Sequence, residues 1–184
     1  MDNFIQRASG TLSKEECDAV IDFFESCSKD HDRVDSRAKI VSQIALDVRL
    51  LPNDSALTPV AGKLRDMCGK YVEKYPFLTR IESWKIDICL KIQKYNPHEG
   101  YFNLHCENDG KIFDGYDKRL IAFMVYLNDV TDGGETEFVT QGVKFQPRCG
   151  DILMWPAYWT HPHRGIPSPS QVKYIITGWY IFDD

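Results

Sequence analysis

The chain has 184 residues, of which 43% are hydrophobic, so it is long enough for one well-buried core, and we expect a single domain over residues 1–184. A formal net charge of −5 without a cluster of Lys or Arg disfavours nucleic acid as the main ligand, and no apolar run reaches the roughly eighteen residues of a membrane span. Because the N-terminus lacks a signal-peptide layout and the six cysteines are widely spaced, we expect reduced thiols in a soluble, cytoplasmic protein.

The N-terminal third of the chain is predicted to contain two helices. A capping-box sequence at Ser13 to Glu16 precedes apolar residues spaced three and four apart, which predicts an amphipathic helix ending near Lys29. The same period over residues 57–71, with Thr58-Pro59 suited to cap and first-turn positions, predicts a second helix. Residues 30–53 mix charges with short apolar runs and give no clear assignment.

After the second helix, the period of the apolar residues changes to two. Apolar and polar side chains alternate from Trp84 to Ile92, with Ile88 among the apolar ones, which predicts one long strand with a buried face. Residues 101–109 are interpreted as the next strand. The polar segment 108–118 is interpreted as a loop, and residues 119–128 as a further strand.

Turns and β-branched runs continue this pattern to the end of the chain. Residues 132–135 contain two adjacent glycines, which can take positive φ at no steric cost, and we expect a turn there. Residues 143–146 and 151–155 are predicted to be short strands, and residues 172–182 form the last one. The C-terminal half therefore consists of strands without helices between them.

This order of elements predicts the fold class. Two helices followed by about eight strands of hairpin spacing are typical of an antiparallel double-sheet barrel such as a jelly roll. We therefore expect a mainly β protein with N-terminal helices. The predicted division is a helical support over residues 1–80 and a jelly-roll core over residues 81–184.

An imidazole and a carboxylate alternate in the segment His105-Cys106-Glu107. In an extended chain, side chains two apart project from the same face, so His105 and Glu107 are expected to point to one spot. A second histidine, His163, would complete a face of two imidazoles and one carboxylate, which suits a divalent metal with open coordination positions. His161 and Asp109 are the rival ligands for the distal and carboxylate positions.

Six motifs follow one another between Tyr95 and Trp179. They are Tyr95, His105-x-Glu107, Tyr126-Leu127-Asn128-Asp129-Val130 leading to Gly133-Gly134-Glu135-Thr136-Glu137-Phe138, Pro147-Arg148-Cys149-Gly150-Asp151, His163-Arg164-Gly165-Ile166-Pro167, and Lys173 with Thr177-Gly178-Trp179. This ordered set resembles the prolyl 4-hydroxylase-like branch of the Fe(II)- and 2-oxoglutarate-dependent dioxygenases. The resemblance implies a double-stranded β-helix that binds Fe(II). It also implies 2-oxoglutarate and O₂ as co-substrates and succinate and CO₂ as products, and it allows ascorbate as an additional cofactor.

A lone lysine lies in the apolar last strand, beyond the second histidine. A cation inside a barrel is costly unless its partner arrives with a ligand, so Lys173 is expected to receive the far carboxylate of 2-oxoglutarate. Tyr95 is expected to donate its hydroxyl to the same carboxylate, and Trp179 to form a wall of the pocket.

The sequence departs from the family's pattern at three places. Glu107 stands where the family more often has Asp, and Ala122 stands where we would expect a Thr that helps to hold 2-oxoglutarate. The segment between Tyr95 and His105 is one residue longer than usual, which leaves open whether Tyr95 or Tyr101 supplies the hydroxyl.

The leading functional hypothesis is hydroxylation of an unactivated C–H bond. The resemblance points to a prolyl residue in a peptide or protein as the substrate. A free amino acid or another small metabolite is the alternative substrate class, and a non-catalytic barrel that binds metal or sugar is the alternative from another functional class. Residues 30–53 and 108–118 are expected to be loops that cover the substrate.

Overall fold

The computed structural model describes residues 2–87, 89–112 and 115–183. Among these residues there are two α-helices and eleven strands. The helices are α1 (Lys14–Ser26) and α2 (Thr58–Lys74), and the strands are β1 (Gln6–Ala8), β2 (Asp32–Asp35), β3 (Ile40–Asp47), β4 (Trp84–Ile86), β5 (Cys89–Tyr95), β6 (Arg119–Tyr126), β7 (Thr136–Phe138), β8 (Val143–Phe145), β9 (Ile152–Pro156), β10 (His163–Gly165) and β11 (Lys173–Phe182).

The strands form two antiparallel sheets that enclose a barrel interior. The larger sheet has eight strands in the order β1-β9-β6-β11-β5-β3-β2, with β4 also paired to β11, and the smaller one has the order β10-β7-β8. Side chains from both sheets share one apolar cluster, in which the rings of Phe138 and Trp155 lie 5.3 Å apart. The mainly β, jelly-roll expectation is confirmed by this double-sheet arrangement.

The two helices cover the outer face of the larger sheet. Their buried residues, among them Phe24 of α1 and Leu64 of α2, belong to one cluster with the outward-facing residues of the sheet. The strand β6 divides its side chains between the two cores, because Phe123 faces the helices whereas Met124 faces the barrel interior. Among the described residues, neither helix combines the length and the apolar character that crossing a bilayer requires.

Both predicted helices are present, with small differences at their ends. The capping box of α1 is complete, since the Ser13 hydroxyl accepts from the Glu16 N–H and the Glu16 carboxylate accepts from the Ser13 N–H. The helix ends at Ser26 and a short 3₁₀ turn follows it. In α2 the cap position is Leu57 rather than Thr58, and Pro59 lies in the first turn as expected.

The predicted helical support over residues 1–80 is not helical throughout. This range contributes β1, β2 and β3 to the larger sheet, and β3 pairs with β5 along six residues. Residues 30–53 are therefore mostly a β-hairpin of the sheet and not a loop that covers the substrate. The pattern was hidden because the two buried residues of β3, Val41 and Ile44, are three apart and do not alternate.

Two strand predictions in the C-terminal half also need correction. The predicted long strand from Trp84 to Ile92 is divided into two strands, β4 and β5. Between them the Asp87 N–H donates to the Trp179 carbonyl. Ile88 lies outside the described residues. Residues 101–109 form an extended segment with isolated bridges at Tyr101 and His105, not a strand. Of the loop 108–118, residues 113–114 lie outside the described residues.

Candidate metal centre

One atom each of His105, Glu107 and His163 lies within 4.8 Å of the other two. Backbone pairing produces this convergence: the His105 N–H donates to the His163 carbonyl at 3.0 Å, and the His163 N–H donates back at 2.8 Å. The Glu107 N–H donates to the Ala157 carbonyl at 3.0 Å, which anchors the same extended segment. The alternation of the segment therefore turns both His105 and Glu107 toward His163, although no regular strand is formed.

Both imidazoles are held with their Nε2 atoms toward the centre. The Nδ1 atom of His105 lies 3.0 Å from the Asn103 carbonyl, and that of His163 lies 3.0 Å from the His161 carbonyl. Because a carbonyl only accepts, each Nδ1 carries a proton, and each Nε2 is the atom that can offer a lone pair to a metal. The Nε2 atoms lie 3.8 Å (His105) and 3.2 Å (His163) from Oε1 of Glu107.

The charge states at this centre are those that a metal ligand set needs. Burial, with the neighbouring His163, lowers the pKa of His105 to about 4. Burial acts to raise the pKa of Glu107. The hydrogen bond and charge of His163, together with His105 and Arg119, outweigh this effect and lower the pKa to about 2. Two imidazoles and one carboxylate on one side of an open cavity match the donor set of a mononuclear ferrous site.

Two further side chains hold the second oxygen of Glu107. The indole N–H of Trp179 donates to Oε2 at 2.9 Å, and Nη1 of Arg119 lies 3.6 Å from the same oxygen. Since Oε1 faces the imidazoles, the carboxylate has one oxygen available for a metal. Arg119, which the sequence analysis did not single out, is also stacked between the rings of Trp179 and Tyr116, at 3.6 and 3.8 Å from their centroids.

The triad opens into a cavity of about 200 Å³ that also contains Lys173 and Tyr95. Lys173 is only 4% exposed, and its Nζ donates to the Gly134 carbonyl at 3.0 Å. Burial lowers the pKa of Lys173 to about 8. Among the described residues, no carboxylate lies within 4.0 Å of this ammonium group. A buried cation of this kind is stabilised when an anionic ligand enters the cavity.

The structure separates the two tyrosines that the sequence left open. Tyr95 is the cross-strand neighbour of Lys173, and its ring centroid lies 5.1 Å from the Lys173 Nζ. Burial raises the pKa of the Tyr95 hydroxyl, which therefore stays protonated and can donate. Tyr101 instead stacks on the ring of His105, with centroids 3.7 Å apart. Ala122 is buried in the apolar cluster between the sheets.

The rival ligands point elsewhere. His161 places Nδ1 2.8 Å from the Thr160 hydroxyl and Nε2 2.9 Å from the Asn3 carbonyl. Asp109 is exposed and forms an ion pair with Lys111. Neither residue belongs to the group of converging ligand atoms around Glu107.

Comparisons with known proteins point to one family. The family model described as "2OG-Fe(II) oxygenase superfamily" matches residues 90–181. A protein of Acanthamoeba polyphaga mimivirus named "Putative prolyl 4-hydroxylase" is 27% identical over 106 residues, which cover 50% of this chain and 43% of that protein. The chain thus spans less than half of the length of this curated relative.

Solved structures share the fold over nearly the whole chain. The viral collagen prolyl hydroxylase of Paramecium bursaria Chlorella virus-1, in complex with 2-oxoglutarate, superposes with a TM-score of 0.75 at 22% identity, covering 98% of this chain and 97% of that one. A Trichoplax adhaerens prolyl hydroxylase, in complex with a peptide fragment of hypoxia-inducible factor, has a TM-score of 0.72 at 16% identity and covers 97% and 84%. At these identities, the likeness shows the fold alone.

Proposed function

The chain belongs to the 2OG-Fe(II) oxygenase superfamily, and from that premise we propose that it hydroxylates a prolyl residue in a peptide or protein. The observation that carries this proposal is the convergence of His105, Glu107 and His163 in one cavity with a buried Lys173 that, among the described residues, has no carboxylate within 4.0 Å. A barrel that only binds metal or sugar has no need for both features. A cytoplasmic location stays a prediction from the N-terminal sequence, the lack of a long apolar run and the cysteine spacing.

The residues of the centre fit Fe(II), and we assign them as its ligands. The Nε2 atoms of His105 and His163 and one oxygen of Glu107 would hold the ion, with Trp179 and Arg119 fixing the other oxygen. Bound iron supplies oxidative decarboxylation of 2-oxoglutarate by O₂, which gives succinate and CO₂ and places one oxygen atom in a substrate C–H bond. Glu107 performs the same ligand chemistry as the more usual Asp, since only its length differs.

The other end of the cavity is proposed to hold the co-substrate. Lys173 would pair with the far carboxylate of 2-oxoglutarate, and the neighbouring Tyr95 hydroxyl, which now donates to Gln93 Oε1 at 3.2 Å, would turn to the same carboxylate. Both side chains are buried, so their binding to the carboxylate costs little additional conformational entropy. A role for Trp179 toward 2-oxoglutarate stays a prediction, because its N–H is directed at Glu107.

The prolyl substrate rests on the relatives. The mimivirus protein is named as a putative prolyl 4-hydroxylase, and the Chlorella virus and Trichoplax proteins are prolyl hydroxylases, the latter bound to a peptide. Hydroxylation of a free amino acid or another small acid is the second candidate. The basic side chains in the cavity wall favour it, because they would bind a free carboxylate.

Succinate release from 2-oxoglutarate by anaerobically iron-loaded protein tests the reaction. Proline-rich peptides and free L-proline would be supplied in parallel, and the mass gain of one oxygen atom identifies the substrate. We expect His163→Ala and Lys173→Ala to abolish turnover. The matched control is His98→Asn, because His98 is an exposed loop residue with φ 68°, a conformation that Asn tolerates. Turnover by both alanine variants at the wild-type rate would refute the site assignment.

A further inference from the structure

The cavity is basic although the chain is acidic. Five cationic and two carboxylate side chains line it, whereas the whole chain has a net charge of −5. One carboxylate is the ligand Glu107, and the other, Asp109, is paired with Lys111. With Lys173 assigned to the co-substrate and Arg119 held against Glu107, the cations that need an explanation are Lys39 and Lys91.

The pairing of β5 with β11 places Lys91 far from the co-substrate end. Alternate residues of β5, which are Lys91, Gln93 and Tyr95, all line the cavity. Tyr95 is opposite Lys173, whereas Lys91 is opposite Thr177. Four residues of extended strand separate Lys91 from Tyr95 by roughly 13 Å. Lys91 therefore cannot serve the same carboxylate as Lys173.

Lys91 lies instead beside the metal centre. Its Nζ lies 5.4 Å from the ring centroid of Trp179, the residue whose N–H donates to Glu107. The side chain is half-buried. Among the described residues, no carboxylate lies within 4.0 Å of the Lys91 ammonium.

Lys39 reaches the same region from the hairpin of β2 and β3. Its Nζ donates to Gln43 Oε1 at 3.1 Å and lies 5.2 Å from the ring centroid of Tyr101, which stacks on His105. Burial, together with the charge of Lys91, lowers the pKa of Lys39 to about 8. In the described part of the chain, no carboxylate lies within 4.0 Å of this ammonium either.

These two cations stay uncompensated when the site is loaded. The charges of Fe(II), Glu107, the 2-oxoglutarate dianion and Lys173 sum to zero, and Arg119 beside Glu107 adds one further positive charge. The half-buried ammonium groups of Lys39 and Lys91 then face the remaining side of the cavity, with no carboxylate of the described residues within 4.0 Å of either. Two partly desolvated ammonium groups that repel each other destabilise the empty cavity, and an anion that binds between them would offset this free-energy cost.

We propose that Lys39 and Lys91 bind a carboxylate of the substrate, so that the preferred substrate is anionic close to the carbon that is hydroxylated. The carboxylate comes from one of two sources, an acidic side chain beside the target residue of a peptide, or the α-carboxylate of a C-terminal or free amino acid. This inference rests on the proposed function and names the substrate class of the same site.

A set of proline peptides that differ only in charge tests the inference. One peptide has neutral residues beside the proline, a second has Glu and a third has Lys. A peptide that ends in proline with a free carboxylate, the same peptide as its amide, and free L-proline separate the two carboxylate sources. Because a charged hydrogen-bonded contact contributes about 1.5–3 kcal/mol, we expect kcat/KM to be at least about tenfold higher for the anionic member of the preferred pair. Equal kcat/KM values for anionic and neutral members of both pairs would overturn the inference.

Variants then assign the effect to these lysines. Lys39→Gln and Lys91→Gln should each lower the ratio of kcat/KM for anionic over neutral substrate about tenfold, Lys91→Arg should retain it, and Lys91→Glu should invert it toward the Lys peptide. Lys94→Gln is the matched control, because Lys94 is in the same strand but pairs with Glu25 on the opposite face. A ratio that these substitutions leave at the wild-type value contradicts the inference.

The two proposals fail in different ways. If wild-type protein releases no succinate with any substrate, the proposed function is wrong. If it releases succinate and hydroxylates neutral and anionic substrates equally, only the assignment of Lys39 and Lys91 is wrong. A preference confined to the C-terminal acid supports the α-carboxylate source, and a preference confined to the Glu peptide supports the side-chain source.

Discussion

Replacement of Lys173 by Met should stabilise the free protein. Lys173 is only 4% exposed, and burial lowers its pKa from 10.5 to about 8. This difference corresponds to a cost of roughly 3 kcal/mol for keeping the ammonium charged in the fold at neutral pH. Met has a similar length without the charge, and loss of the hydrogen bond to the Gly134 carbonyl offsets about 1–1.5 kcal/mol. We therefore expect Lys173→Met to raise the free energy of unfolding by about 1–2 kcal/mol.

The gain should depend on pH in a defined window. The pKa of Lys173 in the folded protein, about 8, is below its unfolded value of 10.5, so unfolding takes up a proton between these two pH values. Wild-type stability therefore rises with pH through this window, and the advantage of the variant is full below the folded pKa and disappears above the unfolded one. Urea unfolding without metal or 2-oxoglutarate, at about pH 7 and about pH 10, measures the difference.

The same substitution should weaken binding of the co-substrate. Without the cation, the far carboxylate of 2-oxoglutarate would be buried unpaired, which costs about 2–5 kcal/mol, so we expect its KM to rise at least about 30-fold. Lys94→Met is the control, because it removes a lysine that pairs with Glu25 outside the cavity and should give neither effect. If Lys173→Met is less stable than wild type at neutral pH, or keeps its KM for 2-oxoglutarate, the account of this residue is wrong.

Three further changes probe the ligand set and its support. Trp179→Phe keeps an aromatic ring but removes the N–H that donates to Glu107 at 2.9 Å, and we expect metal affinity, measured by Co(II) titration, to fall at least about tenfold; unchanged affinity would contradict this role. The pKa of His105 is about 4 in the folded protein and 6.5 in the unfolded chain. The free energy of unfolding of the metal-free protein should therefore fall by roughly 3 kcal/mol as the pH decreases through this window. Urea unfolding curves measure this loss, which the variant His105→Asn should not show. Ser13→Ala breaks the capping box of α1 and should cost about 1 kcal/mol in the same assay, and a neutral result would show that the cap is dispensable.

The sequence predicted the triad although it assigned the wrong local structure to it. His105 lies in an isolated bridge and not in a strand, yet its alternation with Glu107 holds, because any extended backbone projects side chains two apart to one side. The burial of Lys173 could also be predicted from the sequence, because a single lysine in a run of β-branched and aromatic residues indicates a buried cation. Local patterns were sufficient wherever the chemistry depends on neighbours in the chain.

The rest of the site depends on pairing between distant segments, which no local pattern encodes. Lys39 reaches the cavity only because β3 pairs with β5, and β3 was missed because its buried residues do not alternate. Arg119 reaches Glu107 only because β6 pairs with β11, which brings it beside Trp179. In both cases the side chain is an ordinary charged residue in the sequence, and only the register of a non-local ladder gives it a partner.

One register therefore sets both ends of the cavity. The pairing that places Tyr95 opposite Lys173 also places Lys91 opposite Thr177, and a slip of β11 by one residue would turn Lys173 and Thr177 from the cavity to the helical layer. Gly178 leaves room for the side chains of the neighbouring strands, because a Cβ there would come within 2.8 Å of Leu90 in β5 and closer still to Phe123 in β6. The co-substrate cation and the substrate-facing cation are thus fixed by the same ladder, so a change that shifts β11 should alter affinity for 2-oxoglutarate and selectivity for substrate charge together.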